Sequence, residues 1–530
     1  MVGILAGQAS ATLHSMTRRA LVLLAACLVA IGCFTQSTAE RPNILFAIWD
    51  DVSYPHVSAA GSKMVNTPAF DRVAAEGTLF RNAYAPAPGC SPTRAAFLTG
   101  RHIWMIEQAG THASSFPTTY ISYQDLLEAG GYAIGYTGKP WGPGRWDKSG
   151  RTRNPAGPAF MERTLDPPYS GIRDWDYAGN FEDFFEAKER GQPFSFWVGG
   201  SEAHRRFEKG SWKAAGKRLE DAEVPPFLPD TPEIREDLLD YAVEIEWFDS
   251  HVGRILDFLA EREELDNTLV IFTADNGMAF PRAKANLYDY GIHMPLAVRW
   301  AGPGRSGRTL DDLVQFVDLT ATILDVAGVA HPGGASVLAG RSIRDILESQ
   351  AGGMVDSSRT RAFSGRERHS SSRWNNLTYP QRSMRTPEHL YIRNFKPQRW
   401  PAGAPQKYRA DGGGLEEMHM AYHDIDASPT LTRLIEGREE EGVGRYLDLA
   451  VGKRPAEELF DLAADPGCLD NLADQPEHAD LLKALREELD AYLVETGDAR
   501  ATGNGRIWDE YVRYSSIRQF PKPPDAGPDY

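Results

Sequence analysis

The run NILFAIWDD, residues 43–51, decides the fold. From Asn43 to Trp49 it is nearly continuous in apolar residues, so it reads as a strand covered on both faces inside a parallel sheet. Asp50 and Asp51 then close its C-terminal end. Next, Thr67-Pro68 followed by AFDRVAAEG offers an N-cap, a first-turn proline, helical spacing and a closing Gly77, which makes the opening a β-α unit. TLVIFTADNG, residues 268–277, repeats the buried-strand pattern and delivers Asp275 and Asn276 at the same end. A long amphipathic helix from about Glu233 to Glu261 precedes it. Ala133 to Thr137, Phe194 to Val198 and Leu296 to Arg299 are further buried strands bounded by Gly or Pro. Strands alternating with helices predict an α/β, doubly wound sheet.

Working outward, 530 residues exceed one ordinary domain, and a dominant core with a smaller appendage is expected. The composition, 42% hydrophobic and 25% charged, is that of a folded protein rather than a disordered or fibrous one. A net charge of -16 lacks the basic field a nucleic-acid partner requires, though a small anion can still bind in a local basic pocket. At the N-terminus, Arg18-Arg19, the apolar run Ala20 to Ile31 and the small residues before Glu40 read as an export signal over residues 1–39, with Met16 as an alternative start. Cys33 after Ile31-Gly32 also offers a lipid-attachment site, so periplasmic, secreted and lipid-anchored forms all stay open. Of the four cysteines, Cys27 and Cys33 lie in the signal, and Cys90 and Cys468 make no disulfide framework. A main catalytic domain is expected over 40–375. SMRTPEHLYIRNF and AEELFDLAADP, with a helix from Leu481 to Tyr492, then mark a subdomain over 376–500 and a surface tail over 501–530.

In open α/β sheets ligands sit beyond the carboxyl ends of the strands, so Asp50, Asp51, Asp275 and Asn276 are placed to share a site. Three carboxylates and an amide form a hard oxygen shell suited to calcium or magnesium rather than zinc. The segment CSPTRAAFLTGR, residues 90–101, begins as a helix with proline in its first turn, which sets Cys90 at the end of a helix where anions bind. Read singly, an Asp at a strand end is as well explained by a turn or cap, and a lone Lys or His by surface or core.

Here the sequence resembles the sulfatase family, whose maturation motif Cys-x-Pro-x-Arg is matched by Cys90, Pro92 and Arg94. The family's motif order continues from about Arg41 to Asp498. GYAIGYTGK supplies Lys139, GGSEAHRRF supplies His204, and PRAKANLYDYGIHMPL supplies Lys284. The resemblance implies an alkaline-phosphatase-like fold: a large mixed sheet flanked by helices and a smaller C-terminal antiparallel-sheet subdomain. It further implies a Ca2+ ion on Asp50, Asp51, residue 90, Asp275 and Asn276, and a formylglycine made from Cys90 by a formylglycine-generating enzyme. Lys139, Arg94 and Lys284 would hold the sulfate, and His204 would protonate the leaving atom. DNGMAFPRAKANLY, VPPFLPDTPEIREDL, RHSSSRWNNLTYPQRSMRT and YIRNFKP resemble in particular the sulfamidase branch, which removes N-sulfate from terminal glucosamine of heparan-type chains.

One departure stands out. Where most of the family has Gly-Lys-x-His, this chain has Gly138-Lys139-Pro140-Trp141, and His102 and His112 are the candidates to replace the missing histidine. Competing readings are an O-sulfatase on another polysaccharide, a phosphonate or phosphate ester hydrolase on the same scaffold, and a non-enzymatic binding protein for sulfated glycans. The spatial expectation common to the enzymatic readings is that the acids of two strand ends converge on residue 90.

Overall fold

Buried apolar runs build the centre of the molecule. The computed structural model describes residues 41–300 and 307–527; the stretch expected to be an export signal, with Cys27 and Cys33, lies outside the described residues. Among those residues two sheets form. The larger contains β1 (Asn43–Trp49), β2 (Thr78–Tyr84), β3 (Ala133–Gly138), β4 (Phe194–Gly199), β5 (Thr268–Ala274), β6 (His293–Arg299) and β7 (Arg308–Gln315), in the order β3-β4-β1-β5-β6-β2-β7. Every residue of β1, β4 and β5 is buried, which is why these strands read as unbroken apolar runs.

β3, β4, β1 and β5 are mutually parallel neighbours. β6 breaks the parallel winding expected from alternation, running antiparallel to both β5 and β2. No crossover is needed for such a return, because antiparallel neighbours can be joined by a loop. The loop in question, between Asn276 and His293, carries Lys284. β2 and β7 escape sequence reading because each mixes charged and apolar positions near the edge of the sheet.

The helices flanking this sheet include α1 (Pro68–Glu76), α2 (Cys90–Thr99), α3 (Pro232–Glu261) and α4 (Phe316–Ala327). α1 begins at its proline, as expected, but Thr67 does not cap it with its side chain. The Thr67 hydroxyl accepts instead from the Ser58 backbone at 2.9 Å, and Asp249 of α3 accepts from the Ala69 and Phe70 amides at 2.9 Å each. The orphan donors of the helix start are thus satisfied from a packed neighbour.

The second sheet is antiparallel: β8 (Ala362–Arg366), β9 (Gln381–Arg385), β10 (His389–Asn394) and β11 (Glu457–Asp461) in the order β11-β10-β9-β8. Helix α5 (Pro429–Glu436) lies between β10 and β11 in sequence, and α6 (Ala479–Glu495) follows β11. Cys468 is fully buried in an apolar cluster with Leu390, Ile392 and Phe460 of this sheet. β8 is tied to the chain just before Cys90, where the Gly365 amide donates to the Pro86 carbonyl at 2.9 Å and the Ser364 hydroxyl to that of Ala85 at 2.6 Å. The tail reaches the same region, with the Tyr514 amide donating to the Ala113 carbonyl at 2.7 Å. Among the described residues no helix is long and apolar enough to cross a membrane.

Candidate active site

Strand register makes the site. Trp49 of β1 pairs with Ala274 of β5, so the next residues, Asp50 and Asp275, leave the sheet side by side. The Asp275 amide donates to the Trp49 carbonyl at 3.1 Å, and the Asp51 amide to the Asp275 carboxylate at 3.1 Å. Asn276 donates to Asp51 at 2.7 Å. On the other side Gly138 of β3 pairs with Gly199 of β4, and the Lys139 amide continues the ladder to the Gly199 carbonyl at 2.7 Å. Four adjacent parallel strands therefore deliver Lys139, the segment ending at His204, the pair Asp50-Asp51 and the pair Asp275-Asn276 to one edge.

Cys90 opens α2, which is buried along its whole length. Its thiol, Asp50 and Asp275 each present an atom within 4.8 Å of the others. Arg94, one turn on, is fully buried and donates to Asp275 at 2.7 Å and to the Lys139 carbonyl at 2.6 Å, so it braces the strand ends from beneath. The Lys139 ammonium pairs with Asp50, and that of Lys284 with Asp51 at 2.6 Å. His204 lies half-buried within 4.8 Å of Asp51. Its Nδ1 is 2.8 Å from the Arg205 carbonyl, which assigns a proton to Nδ1.

Charge follows the geometry. Burial is the largest influence on Asp50 and opposes its ionisation, but Lys139, helped by His204 and Arg94, brings the carboxyl below its ordinary value. Asp275 is pushed the other way by burial and by Asp50. Burial disfavours both ammonium groups, but Asp50 keeps Lys139 charged, and Asp426 with Asp51 does the same for Lys284. Burial pushes the Cys90 thiol up to about 11, so as a plain thiol it is protonated and a weak nucleophile at neutral pH.

The residues present fit the calcium ion that the resemblance implies. Asp50 Oδ1 and Asn276 Oδ1 are buried without a hydrogen-bond partner, beside two more carboxylates. Buried oxygens of this kind are costly unless something positive meets them, and an all-oxygen set selects a hard cation.

The two histidine candidates separate. His102 turns away, with its Nε2 2.7 Å from the Tyr492 hydroxyl of α6 and its ring stacked on Trp104. His112 Nε2 stands 3.7 Å from the Cys90 sulfur. Trp141, at the position of the missing histidine, is buried edge-on against Phe116. Two further residues at the site, His369 and Asp426, were not among the sequence candidates. His369 packs its ring 4.6 Å from that of His112, and Asp426 lies 3.1 Å from Lys284. Both come from the C-terminal part of the chain; His369 lies within the phrase RHSSSRWNNLTYPQRSMRT, whose resemblance does not single it out, and Asp426 shares its segment with a helix cap at Ser428 and reads as part of that turn.

Comparison with known proteins identifies the family and the fold. A family model described as Sulfatase matches residues 42–329. The human N-sulphoglucosamine sulphohydrolase is 29% identical over 502 residues, covering 87% of this chain and 91% of the relative. An ulvan-active sulfatase of Formosa agariphila is 26% identical over 495 residues, covering 87% and 76% respectively. Among solved structures, that of BT4656 in complex with its substrate D-glucosamine-2-N,6-O-disulfate superposes with a TM-score of 0.59 at 18% identity, covering 88% of this chain and 99% of that one. At that identity the likeness speaks for the fold.

Proposed function

Because the chain belongs to the sulfatase family and has its alkaline-phosphatase-like fold, we propose that it is an exported, calcium- and formylglycine-dependent enzyme releasing N-sulfate from glucosamine ends of heparin- or heparan-type chains. One observation carries the reading: residue 90 opens a buried helix within reach of Asp50 and Asp275, beside the buried Asp50 Oδ1 and Asn276 Oδ1, which have no hydrogen-bond partner and suit a cation. The substrate follows from the phrases resembling the sulfamidase branch and from the human relative matched over nearly its whole length. Export follows from the basic, apolar and small-residue pattern of residues 1–39.

Asp50, Asp51, Asp275 and Asn276 would hold the calcium ion, which when bound supplies a Lewis acid toward the sulfate and lowers the cost of negative charge at residue 90. Cys90, matured by a formylglycine-generating enzyme, supplies an aldehyde in place of the poorly ionised thiol. Lys139 and Lys284, both held charged, aim positive charge at oxygens whose charge grows in the transition state. Arg94 fixes Asp275 and the Lys139 backbone, and its Nη2, buried and without a hydrogen-bond partner, points to a further anion contact. With Nδ1–H held by the Arg205 carbonyl, His204 can give a proton to the departing nitrogen from Nε2 when both ring nitrogens are protonated, and it returns to the Nδ1–H form on doing so. His112 stands where a base can exchange a proton with the side chain of residue 90.

The test is chemical. After co-expression with the maturing enzyme, mass spectrometry of the Cys90 peptide is expected to show the thiol converted to an aldehyde. Sulfate release is expected from N-sulfated glucosamine, absent from nitrophenyl phosphate, abolished by a calcium chelator and restored by calcium. Preference for a 2-O-, 3-O- or 6-O-sulfate would overturn the substrate while sparing the family, and an intact thiol would favour a glycan-binding protein.

A further inference from the structure

Asp426 places a negative charge in a site otherwise arranged to attract an anion. It belongs to a segment with a fixed backbone. Its neighbour Asp424 accepts from Arg366 and Arg373 at 2.7 Å each and from the Ser370 amide at 2.9 Å, and Ser428 caps α5 by accepting from the Leu431 amide at 3.0 Å. From this clamp the Asp426 carboxylate reaches a position 3.1 Å from Lys284, with His204 and Asp51 within 4.8 Å.

Asp426 is one of two counter-charges to Lys284, which also pairs with Asp51 at 2.6 Å, so pairing with Lys284 does not by itself account for a second, partly exposed carboxylate here. Exposure separates the two carboxylates: the Asp51 side chain is fully buried, whereas that of Asp426 is 31% exposed, its Oδ2 shielded and the remainder open. An open carboxylate beside a sulfate site weakens anion binding unless the ligand brings a hydrogen-bond donor or a cation to it. A sulfamate does both. Its hydrolysis breaks the S–N bond and leaves the electron pair on nitrogen. Water supplies the fourth sulfate oxygen and the two protons that turn N–H into an ammonium group. An O-sulfate leaves a neutral alcohol instead.

Resting on the N-sulfate reading above, we propose that Asp426 is the amine-recognition residue of this enzyme, accepting the N–H of the sulfamate and pairing with the product ammonium beside His204. It sets specificity by placing a negative charge where nitrogen gains a positive one.

Binding to Cys90→Ala protein, which cannot form the aldehyde, reads this apart from turnover. Calorimetry is expected to show glucosamine, as its ammonium form, bound roughly tenfold more tightly than N-acetylglucosamine, the equivalent of one charge-assisted hydrogen bond. Adding Asp426→Asn is expected to erase that preference while inorganic sulfate binds at least as tightly as before, which also reports that the site is folded; Asp426→Ser serves if the amide variant does not fold. An unchanged preference for glucosamine in the variant overturns the proposal. Sulfate release from N-sulfated glucosamine is measured alongside. Release together with an unchanged preference leaves the substrate standing and removes Asp426 from it, whereas release from O-sulfates alone removes both.

Discussion

His112, on the chain after α2, stands 3.7 Å from the sulfur of residue 90, whereas the histidine position of a Gly-Lys-x-His motif carries the buried Trp141. The His112 backbone is held by its own amide, which donates to the Arg368 carbonyl at 3.1 Å, and its ring by His369. Burial, followed by His369 and nearby cations, keeps the ring neutral, the form that can accept a proton. His112→Ala is therefore expected to lower kcat by about 10²–10⁴, the span of a general acid-base group, without changing the aldehyde content of residue 90 by mass spectrometry. Unaltered turnover would leave His112 a packing residue. The residue scale is also where sequence reading reaches its limit: His102 and His112 look equivalent in the chain, and only their partners, Tyr492 and Cys90, separate them.

At the scale of elements, the pairing of β3 with β4 aims Lys139. Gly199 lies so close to the end of β3 that a Cβ there would stand 1.8 Å from the Lys139 carbonyl oxygen, which already accepts from Arg94 at 2.6 Å and Trp197 at 3.0 Å. Neither strand can yield without moving Lys139 against Asp50. Gly199→Ala is expected to cost roughly 1–3 kcal/mol of stability from overpacking. It should also lower kcat/KM by about 10²-fold, the effect of misplacing a catalytic group by about 1 Å. Thermal denaturation and steady-state kinetics check the two, and a variant that loses stability but keeps its kinetics would contradict the positioning role of the β3-β4 pair.

Over the whole molecule, the C-terminal part is fastened to the catalytic sheet through buried polar contacts. His102 Nε2 and the Tyr492 hydroxyl of α6 form one of these, and the Tyr492 ring stacks on Phe363 of β8 at 3.7 Å. Burial, then Arg382, depresses His102 from an ordinary value of 6.5 to about 3. The folded state thus holds the ring neutral while the unfolded chain protonates it. The stability this group contributes is fully present above pH 6.5 and declines as pH falls toward 3, at up to about 1.4 kcal/mol per pH unit. His102→Gln, which can still bond Tyr492, is expected to flatten the loss of urea stability between about pH 7 and about pH 4 relative to the parent. Equal slopes in the two proteins would show that His102 does not titrate on unfolding. Local sequence specifies the strands β1, β3, β4, β5 and β6, the helices α1, α3 and α6, the helix start at Cys90, and the acids at two strand ends. These are written in local apolar runs, caps and glycines, each legible within about a dozen residues. Tertiary structure alone decided the antiparallel return of β6, the cap of α1 from Asp249, the choice of His112 over His102, and the arrival of His369 and Asp426 at the site. Such contacts join residues from 22 positions apart, as Cys90 and His112 are, to 390 for His102 and Tyr492, and they are set by packing between elements, for which no local pattern exists.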